Sequence, residues 1–428
     1  MSIKGLPRNI QALLITQMLF NVGFYLVVPF LAVQLTHELG ATSTIVGLVL
    51  GIRTFSQQGM FFLGGGLTDR FGAKPVLLTG VAIRVLGFLI AGFATSVAVL
   101  TIGVILIGFA AALFSPAVEA TLAAEGARLE AAGVVTRTRI FALDAAWSRI
   151  GSLSGPVLGA VLIPVGFPLV CSVGAAIFAA VWVAHAVIAP STRPDSSSVQ
   201  EDQPADSAGL VATWSIVLHN RTFLGFALLY STYLAAYNQQ YLALPVELRR
   251  ATGSDQALGT FFAIAGFYVV LCQGWVHRMT SAWSSTRALR VGFGLMAASF
   301  GAVAACAPFS FNGWARYIPA VIFTLLLHLG IMIAVPIARD LVGHIAGNRH
   351  LGSYFGFLNS FGGLMVLIAS LVVGTLLGGA EQPGLTAIWP WLFMTIILAI
   401  SAWGLSAQAR SISARKQTAD VSSPMPTS

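Results

Sequence analysis

The sequence predicts an all-α integral membrane protein of twelve transmembrane helices in two six-helix, pseudo-symmetric bundles. Three observations predict it. First, 57% of the 428 residues are hydrophobic, only 9% are charged, and mean hydropathy is +0.84. A soluble domain carries about a quarter charged residues. This composition therefore excludes a water-soluble enzyme, a disordered chain and a soluble nucleic-acid binder. Second, apolar stretches of spanning length, about 20 residues each, recur along the whole chain. Third, one long polar stretch separates them, six on either side.

In chain order the expected spans are 10–36, 43–68, 75–95, 98–122, 138–163 and 166–189, then 220–246, 256–278, 287–306, 316–341, 352–379 and 386–409. The first is too long for a signal-peptide core and has no small-residue cleavage site, so it is expected to be retained. Most connections are short and hold turn residues, as in Pro164 to Pro168 and Gly378 to Gly384. The exception is PSTRPDSSSVQEDQPADSAG, from Pro190 to Gly209, which has no apolar run. Its Ser, Pro, Asp and Gln content predicts a flexible linker. The domains expected are a first bundle at 1–189, a linker at 190–213, a second bundle at 214–411 and a disordered tail at 412–428. Cys171, Cys272 and Cys306 lie apart in apolar stretches, so neither a disulfide framework nor a metal site is expected.

Lys and Arg concentrate on the cytoplasmic side of membrane proteins. With the N-terminus inside, 17 of the 23 basic residues fall on inner segments and 3 on outer ones, Arg249, Arg250 and Arg316. Arg53, Arg84 and Arg149 fall within helices. The net charge of +8 is thus a topology signal, with both termini and the linker cytoplasmic. A reporter active only outside the cell, fused at Ser198, should stay silent; strong activity there would reverse the orientation.

The halves echo each other. Tyr25-Leu-Val-Val-Pro29 in the first helix matches Tyr241-Leu-Ala-Leu-Pro245 in the seventh, 216 residues later. Two parallel repeats of this kind suit a secondary transporter whose substrate site lies near the midplane between them. No Gly-x4-Gly-Lys-Ser/Thr loop occurs, so ATP is not expected as the energy source.

Two motifs stand out. After the second span comes GGLTDRFGAKP, holding Gly65, Asp69, Arg70, Gly72 and Lys74. Its glycines allow close helix approach, and Asp69 can meet a helix N-terminus. In the fifth span, Gly151, Gly155, Pro156 and Gly159 form a smooth face around a helix-kinking proline. The first motif resembles the G-x-L-x-D-R-x-G-x-K loop of the major facilitator superfamily. The second resembles the G-x-x-x-G-P-x-x-G motif of its antiporters. From Gly51 to Phe88, GIRTFSQQGMFFLGGGLTDRFGAKPVLLTGVAIRVLGF is similar to the twelve-helix drug:proton antiporters, most of all to the MdtH-type multidrug efflux proteins. The resemblance implies a gating loop that latches the two halves, with Glu125 as the acid facing it. It departs at Ala73, where the family has a basic residue. It departs again in the fourth helix, whose stretch Leu100 to Leu113 lacks the family's Arg.

Ionisable groups at membrane depth are costly and point to function. Arg53, Arg84, Arg149 and His328 fall nearest the midplane, with Asp144 and Glu119 toward the cytoplasmic side. Asp144 is a proton carrier or a fixed partner of Arg53 or Arg84. Glu119 and His328 are the other proton-coupling candidates, His328 alternatively being a packing residue. Arg149 has no evident mate and can meet an anionic substrate group. Tyr233, Tyr237 and Gln240 share one face of the seventh helix with Tyr241. Asn21 and Tyr25, with Gln17, make a similar stripe on the first. Together with Arg53 and Arg149 these are the substrate-cavity candidates.

The expected function is secondary active transport, not enzymatic catalysis: proton-coupled export of drugs or amphipathic small molecules by alternating access. An exporter of an endogenous organic anion or siderophore, and an uptake symporter of the same fold, remain as alternatives. Protons, a small-molecule substrate and the lipid bilayer are the expected partners, with no nucleic acid and no cofactor. A monomer in the inner (plasma) membrane is expected.

Overall fold

The computed structural model describes residues 6–188, 210–254, 256–347, 351–380 and 382–422. The side chains of some helical residues, Asp69 among them, fall outside the described set, as does most of the linker. Among the described residues all regular structure is helical.

The first half begins with α1, Arg8–Val27, which Pro29 interrupts with a short 3-10 turn before Leu31–His37. Proline cannot donate the helical hydrogen bond, and the chain bends there. Helix α2 also comes in two pieces, Ser43–Gln58 and Phe61–Phe71, broken at Gly59 and Met60. Gly72 then takes φ +84°, a conformation that disfavours side chains, and turns the chain directly into α3, Ala73–Gly92. Helix α4 is Val97–Ala131, α5 is Arg137–Leu162 and α6 is Phe167–Ile188.

A short helix, Leu210–His219, leads into the second half. There α7 is Arg221–Thr252, α8 Leu258–Thr280, α9 Ser285–Cys306, α10 Ile318–Ile345, α11 Leu351–Leu377 and α12 Trp389–Ser422. Two expected boundaries move. The short helix begins inside the stretch assigned to the linker, and α12 runs on to Ser422, into the stretch assigned to a disordered tail.

Among the described residues, ten helices are long and apolar enough to cross a membrane on their own composition. The other two expected spans are α2, which is broken, and α7. Helix α7 has 32 residues, about 48 Å at 1.5 Å per residue. It is long enough to span, but its tyrosines and amides dilute its apolar character. The property that obscures α7 as a span is the one that makes it a cavity wall.

Small residues set the packing. Methyl groups built on Gly151 and Gly159 would strike the backbone oxygens of Met18 and Leu26, and one on Gly155 would come within 2.8 Å of Tyr25 Cβ. The motif of α5 therefore seats α5 against α1, inside the first half. Between halves, Gly47 and Gly51 of α2 meet Ser370, Gly374 and Leu367 of α11, while Gly259 and Gly266 of α8 meet Ala160 and Leu153 of α5. These seams close the end of the molecule remote from the 65–74 loop.

A tyrosine-walled cavity between the halves

Between the two seams and the loop end lies a cavity of about 300 Å³. Helices from both halves line it: α1 and α5 from the first, α7, α8 and α10 from the second. Tyr25 is placed there by the close α1–α5 packing described above. Its hydroxyl lies 3.3 Å from that of Tyr237, which accepts from Tyr241 at 3.4 Å. The repeated tyrosines of the two halves thus meet through Tyr237 in one hydroxyl chain. Tyr241 is buried and stacked on Phe262, with centroids 5.4 Å apart. That position is part of the cavity wall.

On α10, His328, Ile331, Met332, Val335 and Pro336 line the cavity at helical spacing. His328 stands edge-on to Tyr237, and its Nδ1 lies 2.8 Å from the Thr324 carbonyl. A carbonyl can only accept, so Nδ1 carries a proton; in the neutral ring Nε2 is then the acceptor.

Of the expected cavity residues, Tyr25, Arg149, Tyr237 and Gln240 line the wall. Asn21, Arg53 and Tyr233 stand outside it. The Asn21 amide donates to the Gln17 carbonyl one turn back. Tyr233 packs against Tyr230, ring centroids 4.5 Å apart and planes tilted by 36°, one turn nearer the loop end. Arg53 is only 4% exposed and sits over the Phe24 ring at 5.1 Å. It donates to Thr54 Oγ1 at 2.8 Å, and Thr54 donates across the interface to Asn238 Oδ1 at 3.0 Å. Arg84, 2% exposed, lies among Phe24, Phe88, Phe114 and Phe178, with ring centroids 4.9–5.5 Å away. Aromatic faces attract such a cation, so four rings surround Arg84, and the alternative in which Asp144 is its fixed partner is not seen. Neither arginine pairs with Asp144.

Asp144 instead has Gln17 as its polar neighbour, and its Oδ1 is buried without a hydrogen bond. Glu119 is exposed and lies within electrostatic reach of both Asp144 and Arg339. Glu119 of the first half is thus the acid within reach of a cation of the second, with Asp144 as its acidic neighbour. Arg339 was not singled out by sequence, where it counts as an inner-loop cation. The signal was available: 339 continues the helical stripe that runs from His328 to Pro336. A second omission is Glu247 of α7, a buried carboxylate bound to Arg250 at 2.7 Å near the closed end.

In the loop, Arg70 is exposed and lies over Phe71, and Lys74 donates to the Ala186 carbonyl of α6 at 3.4 Å. Glu125, the expected acid partner, is bound to Arg128 of its own helix at 3.0 Å.

Two helical bundles with a cavity between them, lined by helices of both, define a polytopic membrane transporter. The chain belongs to the major facilitator superfamily, whose family model matches residues 13–370. It is 33% identical over 407 residues to an uncharacterized MFS-type transporter of Mycobacterium tuberculosis, covering 93% of each chain. It is 29% identical over 406 residues to the multidrug resistance protein MdtH of Escherichia coli, covering 93% of this chain and 94% of that one. Among solved structures it is similar to a peptide transporter POT in complex with alafosfalin, with TM-score 0.75, 13% identity and 96% of each chain covered. It is also similar to a variant of the nucleoside transporter NupG, with TM-score 0.73, 15% identity, and 94% and 99% covered. At those identities the likeness to solved structures concerns the fold.

Proposed function

We propose that the protein exports amphipathic small molecules in exchange for protons. The observation that carries this reading is a tyrosine- and amide-walled cavity together with a carboxylate, Asp144, on α5 five residues before the lining Arg149. Stacking surfaces accept bulky ligands without strict geometry, and an intramembrane acid can take up and release a proton. The similarity to MdtH supports the multidrug class, and the basic-residue asymmetry supports a cytoplasmic loop end. In that orientation the cavity faces the cytoplasm, ready to load. Everted vesicles energised with an acid lumen should accumulate an amphipathic dye, and collapse of the proton gradient should release it. Accumulation only in right-side-out vesicles would establish uptake instead.

The same reading gives the 65–74 loop a latch role in the opposite, outward-open state. Asp69→Asn should lower transport while membrane insertion is retained and dye affinity changes little, because the loop stands a helix half-length from the cavity. Transport at the wild-type rate would remove the latch.

A further inference from the structure

The charge of the cavity wall is one-sided. Arg149 of α5 lines it, and no carboxylate does. Among the described residues no acid forms an ion pair with Arg149. A second cation stands directly behind the wall. Arg53 lies within electrostatic reach of the Tyr25, Tyr237 and Tyr241 hydroxyls, and its Nε and Nη1 are buried without hydrogen-bond partners. Arg84 is close enough to Arg53 for the two charges to interact, which deepens the positive field. In a site walled by low-dielectric protein, such a field is screened far less than at a surface.

Apart from Arg149 the wall is uncharged or apolar, with tyrosines and the amides of Gln240 and Gln273 as its polar groups beside His328. Phe262 stacked on Tyr241, with Val269 and Ile331 nearby, offers a slot for a ring system. An organic cation placed there would meet Arg149 with no acid in the wall to offset it. An organic anion would meet a guanidinium able to bind it through two hydrogen bonds.

We propose that the cavity selects amphipathic organic anions, holding an acidic head such as a carboxylate on Arg149 and an aromatic body against Phe262 and Tyr241. This rests on the cavity being the substrate site of the exporter described above, and it narrows the substrates to one charge class. The acids Glu119 and Asp144 are not among the residues that line it.

Three probes with one ring system separate charge from shape: naphthoate, its methyl ester and naphthylmethylammonium. Equilibrium binding to the purified full-length protein at neutral pH should favour naphthoate over the ester by about ten- to hundred-fold, the range of a charge-assisted hydrogen bond. Naphthylmethylammonium should bind more weakly than the ester. Arg149→Gln should reduce the naphthoate-to-ester ratio to within about threefold, and Arg149→Lys should restore part of it. Equal binding of the three probes by the wild type, or preference for the cation, overturns the proposal without any variant being needed. An unchanged ratio in a folded Arg149→Gln protein also overturns it. The export reading is judged separately. If the ester is driven into everted vesicles and naphthoate is not, anion selection falls and export stands. If no probe is driven, export falls, and the equilibrium ratio still decides charge preference.

Discussion

Asp144→Asn is expected to abolish uphill transport while ligand binding survives. Asp144 is the deepest carboxylate of the first half, its Oδ1 has no hydrogen-bond partner, and neither buried arginine offsets its charge. An ionised carboxylate so placed is costly and is tolerated only when protonated or paired. Arg339, on the opposite half, is the cation within reach of its neighbour Glu119. In the cycle we propose, protonation from the acidic outside favours release of substrate, and loss of the proton to the cytoplasm restores the loading state. Asparagine imitates the protonated form permanently. With the membrane potential clamped at zero, one coupled proton and a one-unit pH difference sustain about a tenfold substrate gradient, since 1.4 kcal/mol is one decade. The variant should reach only equal concentrations on both sides, with exchange of labelled for unlabelled substrate continuing. Should Asp144→Asn still concentrate substrate, Asp144 is structural, and the coupling proton belongs to Glu119 or His328.

Gly47→Val should also cost most of the transport activity, for a mechanical reason. A Cβ at Gly47 would fall on the backbone oxygen of Ser370 and 3.0 Å from Gly374 Cα. Both are parts of a helix backbone and cannot swing aside as a side-chain tip does. The added bulk must push α2 and α11 apart at the closed end. Overpacking of this sort costs about 1–3 kcal/mol, so the state closed at that end falls in population by roughly five- to 150-fold. Turnover through that state should fall accordingly, with the protein still inserted and monodisperse. Gly274→Val and Gly294→Val are matched controls, because a Cβ at either position meets nothing within 4 Å. Wild-type turnover in Gly47→Val would show that the seam need not close so tightly.

Much of the architecture is legible in the residues because spanning is a local property. About 20 apolar residues span a bilayer whatever surrounds them, so the helices and the division into halves follow from runs of Leu, Val, Ala and Phe. Helix α7 is where that logic meets its limit, since a cavity wall must be partly polar. The Tyr25 and Tyr241 repeat pointed to the right region for the same reason: a repeat places equivalent residues in equivalent positions. Helix ends were less legible, as the continuation of α12 to Ser422 shows.

The sequence alone determined the class of protein and nominated seven cavity residues, of which the structure places Tyr25, Tyr237, Gln240 and Arg149 in the lining and Asn21, Arg53 and Tyr233 outside it. Only the tertiary structure decided which polar groups meet. Tyr25 reaches Tyr237 across 212 positions, and Thr54 reaches Asn238 across 184. Arg53 and Arg84 turn to phenylalanine rings and leave Asp144 with Gln17, while Arg339 comes into reach of Glu119 from the opposite half. Hydropathy records how deep a residue lies along its helix. It does not record the rotation of that helix about its axis or the neighbour it packs against, and those two quantities decide whether a buried charge finds an acid, an aromatic face or a cavity.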